Sequence, residues 1–138
     1  MVSEGATHEG LFYRPTVLTA VTPDMAAFTD EIFGPVAPIT VFNSDDEAVA
    51  LANASSYGLV ASIYTRSLGR GLAMADRMRT GMVHINDGTL NDEAIIPFGG
   101  MGASGNGSRF GGQANWDEFT QWQWVTVRDE ARSFPHPY

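Results

Sequence analysis

One stretch of the sequence has the residue types and the spacing of a phosphate-binding loop. Residues 97–107 read PFGGMGASGNG, and within them Gly100, Gly102 and Gly105 satisfy the pattern G-x-G-x-x-G. In dinucleotide-binding proteins this spacing lets the backbone approach a pyrophosphate at the N-terminus of a helix, where amide groups and the helix dipole favour an anion. The pattern by itself indicates a nucleotide-binding loop, provided that a strand precedes it and a helix follows it at once.

The surroundings of this stretch do not match that fingerprint. A dinucleotide loop follows a strand, opens a helix and is followed about 20 residues later by an acidic residue that contacts the ribose. Here Pro97 and Phe98 directly precede the glycines, and Asp117 and Glu118, near the required distance, come before the last predicted strand. We therefore predict that residues 97–107 form a tight turn and do not cradle a phosphate.

A second candidate site combines a carboxylate with an aromatic ring. In the segment DEIFGPV, Glu31 and Phe33 lie two residues apart just before an apolar run, so in an extended backbone their side chains point the same way. A carboxylate accepts hydrogen bonds from both hydroxyls of a ribose, and an aromatic ring offers a flat apolar surface to a nicotinamide. The pair could hold half of a nucleotide; the alternative is a solvated glutamate beside a core phenylalanine.

The composition excludes several other kinds of chemistry. The chain contains no cysteine and no lysine, which removes disulfides, thiolate metal sites and thiol or amine nucleophiles. The three histidines, His8, His84 and His136, lack the spacing of metal ligands, so we expect no metal. With 16 acidic and 8 basic residues, the chain has a net charge of -8, and we expect no nucleic-acid partner. No segment has the length of a membrane span and no signal sequence is evident, so we expect a cytoplasmic protein with no membrane partner.

Alternating strands and helices must position these candidate residues. We predict strands over residues 37–42, 59–65 and 82–86. The helix between the first two begins at the capping box SDDE, which starts at Ser44, and a second helix follows the next strand. Such alternation with short connections favours an α/β fold in which a parallel sheet carries helices on its faces. A loop of about 20 residues after Asn86 is long for a structural connection and is a candidate functional loop.

The last predicted element is an apolar strand. Residues 121–127, QWQWVTV, alternate so that Trp122 and Trp124 share one face. Two exposed tryptophans would be unfavourable in a monomer, so we expect this strand to dock on another surface, such as a neighbouring subunit.

Four sequence blocks together resemble one known family. DEIFGPV, ANASSYGLVASIYT, GMVHIN and PFGGMGASGNG, in this order and at these spacings, are similar to the C-terminal part of the NAD(P)-dependent aldehyde dehydrogenases over roughly residues 10–128. The stretches around them are most like the benzaldehyde (aromatic aldehyde) dehydrogenases.

The resemblance implies an oxidoreductase that converts an aldehyde to its carboxylic acid with NAD or NADP. It also implies the parallel-sheet portion of the catalytic domain over residues 1–120 and an oligomerisation strand and tail over residues 121–138. Within that tail, residues 121–127 would pair with a neighbouring subunit of a homo-oligomer.

The resemblance further implies roles for individual residues. Glu31 matches the family glutamate that binds the nicotinamide ribose, and Phe33 matches the phenylalanine that packs near the nicotinamide. Leu59 would lie near the nicotinamide, and Phe98 would line the aldehyde pocket. Residues 87–96 would lie at the mouth of that pocket and help to set the choice of substrate.

The catalytic machinery of the family has no match in this chain. In the family mechanism a cysteine thiolate attacks the aldehyde, hydride leaves to NAD and water hydrolyses the thioester. The cysteine, the general-base glutamate, the oxyanion-hole asparagine and the Rossmann-type domain all lie upstream of the matched region. We therefore expect a fragment, an isolated domain or one half of a split enzyme, inactive alone and partnered by the missing N-terminal portion. The alternative is a non-catalytic assembly module that binds a dehydrogenase or another partner.

Overall fold

The computed structural model describes residues 2–3 and 8–133, which form short strands and helices. The strands are β1 (Val2–Ser3), β2 (His8–Glu9), β3 (Phe12–Tyr13), β4 (Thr16–Leu18), β5 (Val36–Pro38), β6 (Tyr57–Gly58), β7 (Val60–Ile63), β8 (Met82–Ile85) and β9 (Met101–Gly102). The helices are α1 (Ala26–Thr29), α2 (Asp45–Ala52), α3 (Leu68–Ala75) and α4 (Ala114–Phe119). The predicted α/β class is confirmed.

The helices α2 and α3 both begin at a serine cap. Ser44 Oγ accepts a hydrogen bond from the Glu47 amide at 3.2 Å, and the Glu47 carboxylate accepts one from the Asn43 amide at 2.7 Å. The predicted capping box is therefore present, although its carboxylate bonds the residue before Ser44. Ser67 Oγ accepts the Arg70 amide at 3.3 Å at the start of α3. These side chains satisfy amides that the first turn of a helix leaves without a partner.

The strands form four small sheets, whereas the sequence predicts one parallel sheet. β4 pairs in parallel with β5 and antiparallel with β1, and β7 pairs in parallel with β8. β2 pairs with β3 and β6 pairs with β9, both antiparallel. Within the described residues β5 and β7 are not paired with each other, so the prediction of a continuous sheet is wrong for this chain. An apolar run indicates which residues are extended but not which strand edges meet.

The core is small and lies where α2 and α3 pack on the β7–β8 pair. Val49 of α2, Ile63 of β7 and Met74 of α3 are buried and contact one another. α3 approaches the pair closely at Gly71, where an added Cβ would lie 3.1 Å from side-chain atoms of both Thr65 and Ile85. The helices α2 and α3 and the β7–β8 pair are therefore the part of the chain that packs a core of its own.

The chain leaves much more surface accessible than a folded monomer of its mass. Its accessible area is 11380 Å² at 14.9 kDa, whereas a compact monomer of that mass exposes about 7000 Å². Several large apolar side chains are more than nine-tenths exposed: Leu11, Phe33, Leu90, Trp122 and Trp124. Exposed apolar area on this scale is typical of surfaces that another polypeptide covers.

The predicted strand over residues 121–127 does not form in the described structure. Residues 120–128 have neither helix nor strand, and Trp122 and Trp124 are fully exposed to solvent. A strand is defined by hydrogen bonds to a neighbouring edge, and this segment has no such edge beside it. The strand prediction is wrong for the single chain, whereas docking on another subunit stays a prediction. The proposed boundary after residue 120 also stays a prediction, and His136 lies outside the described residues.

An ion pair joins the first turns of α2 and α3. Arg70 Nε donates to Asp45 Oδ2 at 2.8 Å, and Arg70 Nη2 bonds Asp45 Oδ1. The hydrogen bond from Arg70 holds the pKa of Asp45 below its usual value. A lowered pKa in the folded state stabilises the fold above the unfolded pKa of about 3.9, and this contribution is lost as the pH falls through the folded pKa.

We therefore predict that Asp45→Asn weakens the acid sensitivity of the fold. The melting temperature of the variant should be lower than that of the parent at about pH 6 and should fall less on acidification to about pH 3. Circular dichroism at several pH values measures both. Asp92 is exposed, and Asp92→Asn is the control: its melting temperature should fall on acidification as much as that of the parent. An equal fall in the melting temperature of the Asp45 variant would contradict the prediction.

Candidate functional site

The glycine-rich stretch packs its backbone directly against other backbone. A Cβ at Gly100 would lie 2.2 Å from the Ser104 carbonyl oxygen, and one at Gly105 would lie 2.4 Å from the Gly100 carbonyl oxygen. Gly102 has a φ of +57° and leaves no room for a side chain, because a Cβ would lie 2.3 Å from the Ser56 carbonyl oxygen. Among the described residues the next helix after this stretch is α4, so the pattern does not open a helix. The glycines therefore serve a tight turn, as predicted.

This turn is joined to β6 and to the start of β8. Ser104 Oγ accepts the Gly58 amide at 3.1 Å, and β9 pairs with β6. A Cβ at Gly81 would lie only 1.7 Å from the Gly99 carbonyl oxygen, so these two backbone segments are in direct contact. Leu59 follows Gly58 and Phe98 precedes Gly99 in the chain. The turn therefore brings two of the four predicted site residues into one region.

Phe98 is held in place by its pairing with Phe110. The Phe98 amide donates to the Phe110 carbonyl at 2.7 Å, the Phe110 amide donates back at 3.0 Å, and the two rings lie 5.1 Å apart with a 45° tilt. Arg109 Nη1 donates to the Gly100 carbonyl at 3.1 Å and to the Ser108 carbonyl at 2.8 Å. Aromatic pairs in such tilted geometries are favourable. No local pattern in the sequence marks Arg109 and Phe110, because the bridge between Phe98 and Phe110 joins residues 12 positions apart.

The loop after β8 begins with two polar side chains that fold its backbone. Asn86 has a φ of +59°, and its Oδ1 accepts the Thr65 amide at 2.8 Å, which ties the ends of β7 and β8 together. Asp87 accepts the Gly88 amide at 2.7 Å and the Asn91 side-chain amide at 2.7 Å. These hydrogen bonds lower the pKa of Asp87, and its electrostatic interaction with His84 acts in the same direction. The dipeptide Asp-Gly is a turn signal, so this organisation could have been predicted from the sequence.

A cavity of about 300 Å³ lies between β8 and this loop. Among its lining residues are Met82, His84, Asn91, Glu93 and Ile96. The His84 Nε2 atom is buried there and has no hydrogen-bond partner among the described residues. Residues 87–96, predicted to lie at the mouth of a pocket, thus border a cavity, although Phe98 is not among the residues that line it.

Glu31 and Phe33 lie on an exposed segment between α1 and β5. The Phe33 side chain is 92% exposed, so the alternative of a core phenylalanine is wrong. Glu31 is also exposed, and its carboxylate takes part in none of the ion pairs of the described residues. No hydrogen bond or ring contact in the described chain joins either residue to Leu59 or Phe98. Within the described residues the two halves of the predicted site are therefore not linked by hydrogen bonds or ring contacts.

The described residues contain neither a metal-binding cluster nor a membrane-spanning helix. No group of three or more histidine, aspartate or glutamate side chains there has the arrangement of a metal site. Within the same residues, every helix is too short or too polar to cross a bilayer.

Comparisons with known proteins give a consistent result. The model of the aldehyde dehydrogenase family matches residues 1–125. A benzaldehyde dehydrogenase (NAD+) of Pseudomonas putida is 55% identical over 134 residues, and a vanillin dehydrogenase of Amycolatopsis sp. is 53% identical over 135 residues. Each match covers 97% of this chain and 28% of the relative. The crystal structure of a salicylaldehyde dehydrogenase from Pseudomonas putida G7, complexed with salicylaldehyde, matches with a TM-score of 0.88 at 34% identity, over 99% of this chain and 28% of that chain.

Proposed function

This chain belongs to the aldehyde dehydrogenase family of oxidoreductases, and on this premise we propose that it is one part of an enzyme that oxidises an aromatic aldehyde to its carboxylic acid with NAD or NADP. The observation that carries the proposal is the identity shared with benzaldehyde and vanillin dehydrogenases over nearly the whole chain. Because the chain spans about 28% of the length of these relatives, we assign the activity to an assembly of this chain with the remaining family sequence.

We propose that the chain alone is inactive. It contains no cysteine, and without a thiolate it has no group that could form the thiohemiacetal with which the family reaction begins. Its small core and its large accessible area support the same proposal, because they are typical of a polypeptide that packs against more of its own fold. The enzyme would therefore need the N-terminal portion both for chemistry and for packing.

The exposed pair Glu31 and Phe33 fits the nicotinamide half of the cofactor. A carboxylate without an ion-pair partner can accept hydrogen bonds from two ribose hydroxyls, and a free aromatic ring can pack on a nicotinamide. Both side chains are exposed on one short segment, so both are available to a ligand. Bound NAD or NADP supplies the acceptor for the hydride, and this chain would supply groups that bind and orient it. Leu59, 36% exposed beside β6, would add an apolar contact near the nicotinamide.

The aldehyde would bind near Phe98 and the loop of residues 87–96. Phe98 is fixed by its pairing with Phe110, which gives it the rigidity that a pocket wall needs. The hydrogen bonds of Asp87 order the beginning of the loop. An aromatic ring at this position suits an aromatic aldehyde, because offset or edge-to-face ring contacts are favourable.

Residues 121–127 would serve as an arm between subunits of a homo-oligomer. Trp122 and Trp124 are exposed in the single chain, and pairing with a sheet edge of a neighbour would cover them. We expect that removal of residues 121–138 abolishes the oligomers. Sedimentation of the assembled enzyme measures this loss.

The proposed function predicts that activity returns on complementation. Co-expression of this chain with the remaining N-terminal sequence of the Pseudomonas putida benzaldehyde dehydrogenase should yield a complex that reduces NAD in the presence of benzaldehyde. Each part alone should give no aldehyde-dependent reduction, because neither part contains both the thiolate and residues 97–107. A folded complex that lacks any turnover would contradict the enzyme proposal and favour the non-catalytic assembly module.

A further inference from the structure

One asparagine in the turn of residues 97–107 directly precedes a glycine. Asn106 and Gly107 are both exposed, and no other asparagine of the sequence is followed by glycine. Gly107 has a φ of +95°, and no atom lies within 4 Å of the place where a Cβ would be. Glycine carries no side chain that could shield its own main-chain nitrogen from the preceding residue. The nitrogen of Gly107 is therefore open to the side chain of Asn106.

The Asn106 side chain is folded toward the main chain that follows it. Its Oδ1 atom accepts the Ser108 amide at 3.0 Å and the Ser108 hydroxyl at 2.8 Å. A hydrogen bond from an asparagine side chain to the amide two residues on closes an Asx turn. The side-chain carbonyl carbon, Cγ, and the Gly107 nitrogen lie inside this closed turn, and a bond between them would complete a five-membered ring. A nucleophile and a carbonyl held together in this way react without the entropy cost of finding each other.

The two Ser108 donors favour addition to this carbonyl. When a nucleophile adds to a carboxamide, negative charge collects on the carbonyl oxygen, and donors already aimed at that oxygen stabilise the charge. Both Ser108 groups are bonded to Oδ1 before any reaction. The Asn106 Nδ2 atom donates to none of the described residues, so its departure would break no contact among them.

The attacking nitrogen is free of backbone partners, in contrast to its counterpart after Asn53. Within the described residues the Gly107 amide donates to no backbone carbonyl. The amide that follows Asn53 donates to the Leu51 carbonyl at 3.2 Å, and Asn53 Nδ2 donates to the Arg77 carbonyl at 2.8 Å. At Asn53 both the attacking and the leaving nitrogen would have to give up a hydrogen bond, and each such bond stabilises the unreacted state. The structure therefore favours reaction at Asn106 over Asn53.

We propose that Asn106 is a site of spontaneous covalent modification, at which the Gly107 nitrogen attacks Asn106 Cγ and the asparagine is converted to aspartate and isoaspartate. The Gly107 nitrogen loses its proton to hydroxide and bonds to Cγ. The bond from Cγ to Nδ2 breaks, and the side-chain nitrogen takes a proton from water and leaves as ammonia. Water then opens the succinimide ring, at Cγ to give aspartate or at the main-chain carbonyl to give isoaspartate. This chemistry needs only the turn and water, so it does not depend on the proposed function.

The two products affect the turn differently. Aspartate keeps a side-chain oxygen that can accept the Ser108 amide, and it adds one negative charge. Isoaspartate directs the main chain through Cβ and Cγ, which lengthens it by one atom just before Ser108 and Arg109. Phe110 follows at once, and it holds Phe98 through backbone hydrogen bonds of 2.7 and 3.0 Å. We therefore expect the isoaspartate product, and not the aspartate product, to loosen the pairing of Phe98 with Phe110.

Ageing of the full chain in water enriched in heavy oxygen tests the modification. After incubation at neutral and mildly alkaline pH, the chain is digested in ordinary water, so that only changes made during ageing carry the label. The peptide that contains Asn106 should gain the mass of one deamidation, include one heavy oxygen and separate into two products. Its rate should rise with pH, because the attacking nitrogen must lose a proton. The peptide that contains Asn53 is the internal control and should react about tenfold more slowly, because its nitrogens are already hydrogen-bonded.

Variants of two residues separate the effect of the turn from that of the sequence. Ser108→Ala keeps the Asn-Gly pair but removes one donor to Oδ1, and it should slow the conversion about threefold to tenfold. Ser108→Thr retains a hydroxyl and should convert like the parent chain. Asn106→Asp reproduces the aspartate product and should keep the amides of Phe98 and Phe110 as protected from hydrogen exchange as in the fresh chain. The aged isoaspartate product should exchange these amides faster.

Each measurement has an outcome that contradicts the proposal. An unchanged Asn106 peptide, equal rates at Asn106 and Asn53, or a mass gain without heavy oxygen would overturn the modification site. Equal rates in the parent chain and in Ser108→Ala would overturn the part assigned to the hydroxyl donor. Equal exchange at Phe98 in the isoaspartate product and in Asn106→Asp would overturn the loosening of the Phe98 region.

Discussion

Replacing Glu31 by glutamine in the complemented enzyme should raise the NAD concentration needed for half-maximal rate about tenfold. A hydrogen bond to a charged acceptor contributes roughly 1 to 1.5 kcal/mol more than one to a neutral acceptor, and this difference corresponds to about one order of magnitude in affinity. Glutamine keeps the length of the side chain and one acceptor oxygen, so the fold should not change. Steady-state kinetics with NAD varied at saturating benzaldehyde measures the effect.

Asp30 provides the matched control for this variant. Its backbone is extended, with φ of -92° and ψ of 146°, so its side chain and that of Glu31 point to opposite sides of the chain. Asp30→Asn removes the same charge one residue earlier and should leave the NAD requirement unchanged. If both variants changed the NAD concentration needed for half-maximal rate equally, or neither changed it, Glu31 would be removed from the proposed cofactor site. An equal change in both would be an effect of net charge.

Replacing Gly81 by alanine should destabilise the chain by about 3 kcal/mol, at the upper end of what overpacking costs. The new Cβ would lie 1.7 Å from the Gly99 carbonyl oxygen and 2.7 Å from the Gly99 carbonyl carbon. Both are backbone atoms, so the clash can be relieved only by moving the segment that carries Phe98. Thermal unfolding of the chain should show the loss of stability. In the complemented enzyme the same variant should raise the KM for benzaldehyde.

Gly69 is the control for the effect of adding a methyl group. It lies in α3 with no atom within 4 Å of an added Cβ. Gly69→Ala should stabilise the chain by about 0.5 to 1 kcal/mol, because alanine loses less backbone entropy than glycine in a helix. Similar unfolding temperatures for the two variants would contradict the direct contact between Gly81 and Gly99 on which the Phe98 region depends.

Local sequence patterns predicted the elements that depend on near neighbours. The cap predicted at Ser44 starts α2, where the serine side chain reaches an amide three residues away. The strand of residues 82–86 is present as β8, one residue shorter. By contrast, the cap-forming residue type at Thr22 does not start a helix: its hydroxyl donates to the Asp24 carboxylate, and α1 begins only at Ala26.

Patterns that depend on distant partners were predicted poorly. The apolar run of residues 37–42 predicts one strand, but only its first part pairs with β4, as the end of β5. The apolar alternation of residues 121–127 is present, yet no strand forms there without an edge to pair with. The positions of Arg109 and Phe110 beside the proposed pocket were missed because they depend on contacts across a turn.

The sequence by itself determined the family, the absence of a thiol nucleophile and the candidate residues Glu31, Phe33, Leu59 and Phe98. Residue identity suffices for these, because each concerns which groups are present and at what spacing. Only the tertiary structure decided that the glycines of residues 97–107 pack against backbone and that the strands form two separate parallel pairs. These features depend on which edges meet in space, and edge pairing is determined by partners that lie far away in the chain or on the rest of the enzyme.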